Sequence, residues 1–175
     1  MRYAVGDTVI HWTHGLGTVI AIDEMDLAGA TKPYYVVEVE QLKLWIPIEE
    51  AHDGSIRPPM ESIEFEQLFE ILRTQGQPLP DHYEHRKNVL RARMQKRTLE
   101  DLCHIIRDLS DRSCRHNLND FDADILFRAQ EHLLDEWVIS LNTDRSEALD
   151  MLEVLIKENQ PEAKIRKEPS LRWRT

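Results

Sequence analysis

Cysteine is almost absent from this chain, glycine is scarce, and no apolar run approaches the roughly 20 residues that a membrane span needs. Each shortage excludes something. Cys103 and Cys114 are too few for a disulfide framework, and a reducing compartment keeps such a pair as thiols. With His104 and His116 they could supply four zinc ligands, but the spacing matches neither usual ligand pair, C-x2-4-C or H-x3-5-H. Cys103 also stands between Leu102 and Ile106 on an apolar helix stripe, where a small buried thiol is common, so neither metal nor cofactor is expected. Six glycines leave no phosphate loop: HGLG at 14–17 lacks the longer glycine signature and reads as a turn. His14 lies far along the chain from Cys103, which speaks against Cys–His chemistry, and no enzyme is expected. The start, MRYAVGDTV, lacks the charged-then-apolar pattern of a signal peptide, and a cytoplasmic location follows as the expectation.

What is present is ordinary globular material. The 175 residues are 41% hydrophobic and 31% charged, enough for two compact units. VGDTVIHW, GTVIAIDEM, PYYVVEVE and LKLWIPI are rich in β-branched and aromatic residues and separated by turn formers, which predicts a small, strongly bent sheet or open barrel over residues 1–60. Pro47 suits an edge strand or a strand end. After RPPM at 57–60 the period changes: Ile63, Phe65, Leu68, Phe69, Ile71 and Leu72 follow helical spacing, with Ser62 as a possible cap and Gly76 in QGQPLP as a stop. Helices are predicted over about 82–95, 98–112, 119–141 and 143–157, with Thr98 and Thr143 as N-caps. The fold class is α+β. The divisions are 1–60 barrel, 61–80 connecting helix and linker, 81–160 helical domain and 161–175 basic tail.

Charge is unevenly spread. The net charge is −10, yet residues 83–97 carry Arg86, Lys87, Arg91, Arg93, Lys96 and Arg97 against Glu84 alone. Two readings stay open on charge alone: a solvated face paired with neighbouring acidic helices, or a contact for nucleic acid.

The order of motifs resembles the CarD-like family of bacterial RNA-polymerase-binding regulators. Val5, Gly6, Asp7, Val9, His14, Gly15, Gly17, Gly29, Tyr34, Tyr35, Pro47, Ala51 and Arg57 match the family's N-terminal pattern, and PLP at 78–80, IIRDL at 105–109 and HNL at 116–118 continue it. The resemblance implies a Tudor-like barrel that binds the RNA polymerase β subunit and a helical domain that meets promoter DNA at the upstream edge of the transcription bubble. There the family places a tryptophan wedge. In this chain Tyr83 occupies that place, and His85, Arg86 and Lys87 follow it. Arg91 and Arg93 extend the basic surface on the reading of the residues alone, as do Lys96 and Arg97. The implied polymerase contact is the strand holding Trp45, Ile46 and Pro47, with Met25 beside it. Met25 and Trp45 stand where typical members carry arginine, so apolar packing would replace charge pairing there. Trp45 could equally be a barrel-core tryptophan. A monomer without membrane attachment is expected. The alternative function is an adaptor that binds polymerase, or another protein, without acting on DNA.

Overall fold

The structure, a computed structural model, describes residues 3–11, 13–27, 30–51, 55–96 and 98–158. Gly29, Arg97 and the basic tail, including Trp173, lie outside the described residues. The first half is an antiparallel five-stranded sheet, in keeping with the Tudor-like barrel that the resemblance implies. Its strands are β1 (Thr8–His11), β2 (Gly15–Leu27), β3 (Ala30–Val39), β4 (Leu42–Pro47) and β5 (Ile56–Arg57), in the order β4-β3-β2-β1-β5. β2 and β3 form one long hairpin with an irregularity in register between Val19 and Ala21. A four-residue helix, α1 (Ile48–Ala51), follows β4 and is too short to leave a periodic pattern in the residues.

Alternation along the strands sends Val9, Val19, Tyr35, Val37, Val39 and Ile46 into one core. Tyr3 closes it, ring edge-on to Tyr35 at 5.6 Å, with its hydroxyl donating to the Ile56 carbonyl. Two glycines of the HGLG turn have separate reasons. Gly15 takes φ +77°, in the left-handed region. At Gly17 a Cβ would lie 2.6 Å from Val39 and 2.8 Å from Val37, so only hydrogen allows β3 to pass.

The second half is helical: α2 (Ser62–Arg73), α3 (Tyr83–Lys96), α4 (Leu99–Arg115), α5 (Asp120–Ser140) and α6 (Arg145–Lys157). Thr98 caps α4 as its sequence suggests, accepting from the Asp101 amide, and Asn119 caps α5 in the same way. Two caps differ from expectation. Ser62 is the first helical residue of α2, after a Glu61 that makes no side-chain cap. Asp144, not Thr143, caps α6: its carboxylate accepts from the Glu147 amide, while the Thr143 hydroxyl donates to the Glu147 side chain. Gly76 is not a helix cap either, because α2 already ends at Arg73. It allows the linker to cross α4 where a Cβ would come within 2.3 Å of the Asp111 Cβ.

One apolar core spans all five helices, and α2 is part of it rather than a free connector: Phe65, Leu68 and Leu72 pack with Leu109, Leu133 and Trp137. Cys103 sits fully inside, where burial pushes its thiol up to about 12. Cys114 is exposed. At pH 8 an ordinary thiol has on the order of a thousandfold more thiolate than one titrating near 12. A maleimide should therefore modify Cys114 in the native protein and reach Cys103 only after denaturation. Mass spectrometry of the labelled peptides checks this, and rapid native labelling of Cys103 would contradict the burial. Among the described residues no helix is long and apolar enough to cross a membrane.

Candidate nucleic-acid interface

The turn before α3 is held by a residue whose sequence position suggests a surface base. Arg86 is only 4% exposed. Its Nε donates to Asp122 Oδ2 at 2.8 Å, and its Nη1 donates to the carbonyls of Pro80 and Asp81, both at 2.9 Å. Asp122, in the first turn of α5, is buried too and also accepts from the Asn119 side-chain amide. Arg86 therefore ties the PLPD turn and α3 to the start of α5. It is an internal arginine, and its expected place among DNA contacts is corrected by that burial.

Arg93 is likewise turned inward. Its guanidinium donates to Asp108 Oδ2 at 2.6 Å, and Asp108 is completely enclosed, accepting further bonds from Arg107 and the Gln77 amide. Lys96 pairs with Asp101 at 3.0 Å. Half of the six bases thus satisfy acidic neighbours on α4 and α5, as the solvated-face reading anticipated in part.

The remaining stripe is different. Tyr83, Lys87 and Arg91 fall at i, i+4 and i+8 of α3 and share one face. Tyr83 is 40% exposed and meets Phe121 edge-to-face, with centroids 6.4 Å apart and an interplanar angle of 87°. The Lys87 ammonium lies 5.4 Å from the Tyr83 ring centre and 5.9 Å from that of Phe121; the Arg91 guanidinium lies 5.6 Å from Phe121. Among the described residues neither cation is paired with a carboxylate. Two rings and two unneutralised cations form a surface that can stack on bases and hold phosphates. His82 and His85 lie exposed beside it, their rings 5.3 Å apart. Phe121 was missed from sequence because it comes from α5 and nothing local links it to Tyr83.

The barrel presents a second surface. β4 is the terminal strand of the sheet, hydrogen-bonded to β3 alone among the described strands. Trp45 is 42% exposed and packs edge-on to the buried Tyr34 at 6.4 Å, so it lies outside the barrel core. Register places Tyr34 opposite Pro47, Val36 opposite Trp45 and Asp23 opposite Tyr34. Met25, Trp45 and Pro47 consequently share one face of the sheet. Ile46 does not: it is 5% exposed in the core, and its expected role as a side-chain contact is corrected. Among the described residues no three His, Cys, Asp or Glu side chains gather as metal ligands.

Comparison with known proteins covers both halves. A family model described as CarD-like/TRCF RID domain matches residues 3–60, and one described as CarD, C-terminal domain matches residues 67–153. A curated relative from Bacillus subtilis (strain 168), named "Putative transcription factor YdeB", is 21% identical over 136 residues, which is 77% of this chain and 89% of the relative.

Proposed function

The chain belongs to the CarD-like family, and from that premise we propose that it grips the RNA polymerase β subunit with the β4 edge and meets promoter DNA with the Tyr83 stripe, changing the lifetime of the open complex. The family is one of transcription regulators that bind RNA polymerase and is not a known enzyme family. The observation that carries the DNA half is the pair of unneutralised cations, Lys87 and Arg91, lying against the Tyr83 and Phe121 rings.

The division of labour follows from the groups. An exposed ring offsets the unstacking of an opened base step, while the cations hold flanking phosphates and fix register. Tyrosine offers less area than the tryptophan typical of the family and carries a hydroxyl, so the wedge is the weaker one. A net charge of −10 does not forbid this, because screening over about 8 to 10 Å lets a local patch act apart from distant acids. Docking on polymerase raises the effective concentration of the patch at the promoter, and few phosphate contacts are then required. The protein works in the cytoplasm as a monomer, beside the polymerase it binds.

The adaptor reading keeps one specific observation in its favour: Arg86 and Arg93 are committed to buried carboxylates, and Lys96 pairs with Asp101 at the surface. Open-complex half-life on one promoter separates the two. Tyr83→Ala should remove most of the wild-type effect, with roughly 1 to 3 kcal/mol of stacking as its upper bound. Tyr83→Trp should equal or exceed wild type. Lys87→Ala and Arg91→Ala should each reduce the salt slope of DNA binding by about one unit. A wild-type protein that binds polymerase but leaves the half-life unchanged would establish the adaptor instead.

A further inference from the structure

The two surfaces belong to different halves of the chain, and one helix reaches both. α5 begins at Asp120, so Phe121, the ring that meets Tyr83, stands in its first turn. Near its other end Glu136 is 1% exposed, and both carboxylate oxygens accept from the barrel: Arg57 Nη1 donates to Oε1 at 2.6 Å and Nη2 to Oε2 at 2.7 Å. The Met60 amide of the connecting segment donates to the same Oε1 at 2.8 Å. A bidentate guanidinium fixes direction as well as distance. A second close approach lies beside it, where a Cβ on Gly15, the first residue of β2, would stand 3.4 Å from Oδ2 of the neighbouring Asp135 and 3.6 Å from Nδ1 of His132, one turn earlier.

We infer that α5 is a rigid strut and that Arg57 and Glu136 are its joint with the barrel, so that the span between the β4 edge and the Tyr83 stripe is a fixed dimension of the protein. The inference rests on the two-surface reading above. Phe121 and Glu136 are separated along α5 by about 22 Å at 1.5 Å per residue, and Leu133 and Trp137, both buried, lock the helix into the bundle between them and beyond. On the barrel side Arg57 lies in β5, which pairs with β1 at the sheet edge opposite β4. The edge fastened to α5 and the edge offered to polymerase are therefore different, and the joint leaves the latter unobstructed. Arg57 and Glu136 are positioning residues: they touch neither partner but set where one surface lies when the other is engaged.

The test uses the full chain carrying Cys114→Ser, with spin labels on Lys43→Cys in β4 and Asp150→Cys in α6 for the distance, and the unlabelled chain for polymerase affinity and open-complex half-life. Wild type at 57 and 136 should give a single narrow distance distribution. Arg57→Ala and Glu136→Gln should broaden it, leave polymerase affinity within about twofold, and abolish the effect on open-complex half-life; Arg57→Lys, which keeps the charge but not the fork, should fall between. Glu136→Gln keeps the shape and an acceptor for the Met60 amide, and is the variant read if Arg57→Ala fails to fold. A distribution that stays narrow in both variants overturns the joint, and so does a broadened one with an unchanged half-life effect. A wild-type chain with no half-life effect defeats the DNA reading, while the distance distribution alone still decides the joint.

Discussion

Arg86→Ala is expected to destabilise the chain by about 3 to 5 kcal/mol, the cost of breaking a buried ion pair from one side. The substitution leaves the Asp122 carboxylate in the interior with only the Asn119 amide, and strips the Pro80 and Asp81 carbonyls of their shared donor. Among the described residues Asp122 Oδ1 already lacks a hydrogen-bond partner, so the site has no reserve to absorb the loss. For a chain of this size the thermal midpoint should fall by roughly 10 °C. Lys87→Ala, one residue along and on the outer stripe, should stay within about 0.5 kcal/mol of wild type. Thermal melts by circular dichroism check the pair. An Arg86→Ala protein that melts with wild type would mean the guanidinium is not committed inward, and Arg86 would return to the list of DNA contacts. Asp122→Ala should destabilise in the same direction. The double variant should cost less than the sum of the two, because it removes the isolated charge that each single change leaves behind.

That contrast shows how far the sequence could be read. The strands and the five longer helices were legible because a period of two or of 3.6 is a local property, and so was the Thr98 cap, whereas the cap of α6 falls one residue after the expected Thr143. The facing of α3 was legible only in part. Arg86, Leu90 and Arg93 form its inward stripe, with Val89 and Met94 packed beside them, while Tyr83, Lys87 and Arg91 form the outward one. A helix with an arginine where an apolar residue is usual conceals which side is inner, and counting its bases cannot separate the two stripes. Strand alternation did hold the information for Trp45 and Ile46, which as neighbours must point to opposite faces. Phe121 and Glu136 were beyond reach, since their partners come from other elements and no local pattern pairs them.

Trp45→Glu should weaken binding to RNA polymerase by about 2 kcal/mol or more, roughly thirtyfold, if the β4 edge is the contact. The strand supplies free backbone groups for a partner strand, which give affinity, and the exposed side chains supply choice. Trp45 is the largest of these, and its face also carries Met25 and Pro47, so a partner docked there would meet an apolar surface where a typical family member offers arginine. A carboxylate at its centre is desolvated without a counter-charge. The cost to the fold should be smaller than for a core residue, because Trp45 is 42% exposed and outside the barrel core; its edge contact with Tyr34 is a pairing worth about 0.5 to 1.5 kcal/mol beyond the area it covers. Ile46→Glu is the control from the other face: it buries a charge in the barrel core and should unfold the N-terminal half. Trp45→Arg installs the residue typical of the family, and it should bind more tightly than Trp45→Glu if the facing surface on the β subunit is acidic. Titration of each variant against polymerase, with a thermal melt beside it, gives the answer. Wild-type affinity in Trp45→Glu with an unchanged melt would remove the β4 face from the interface.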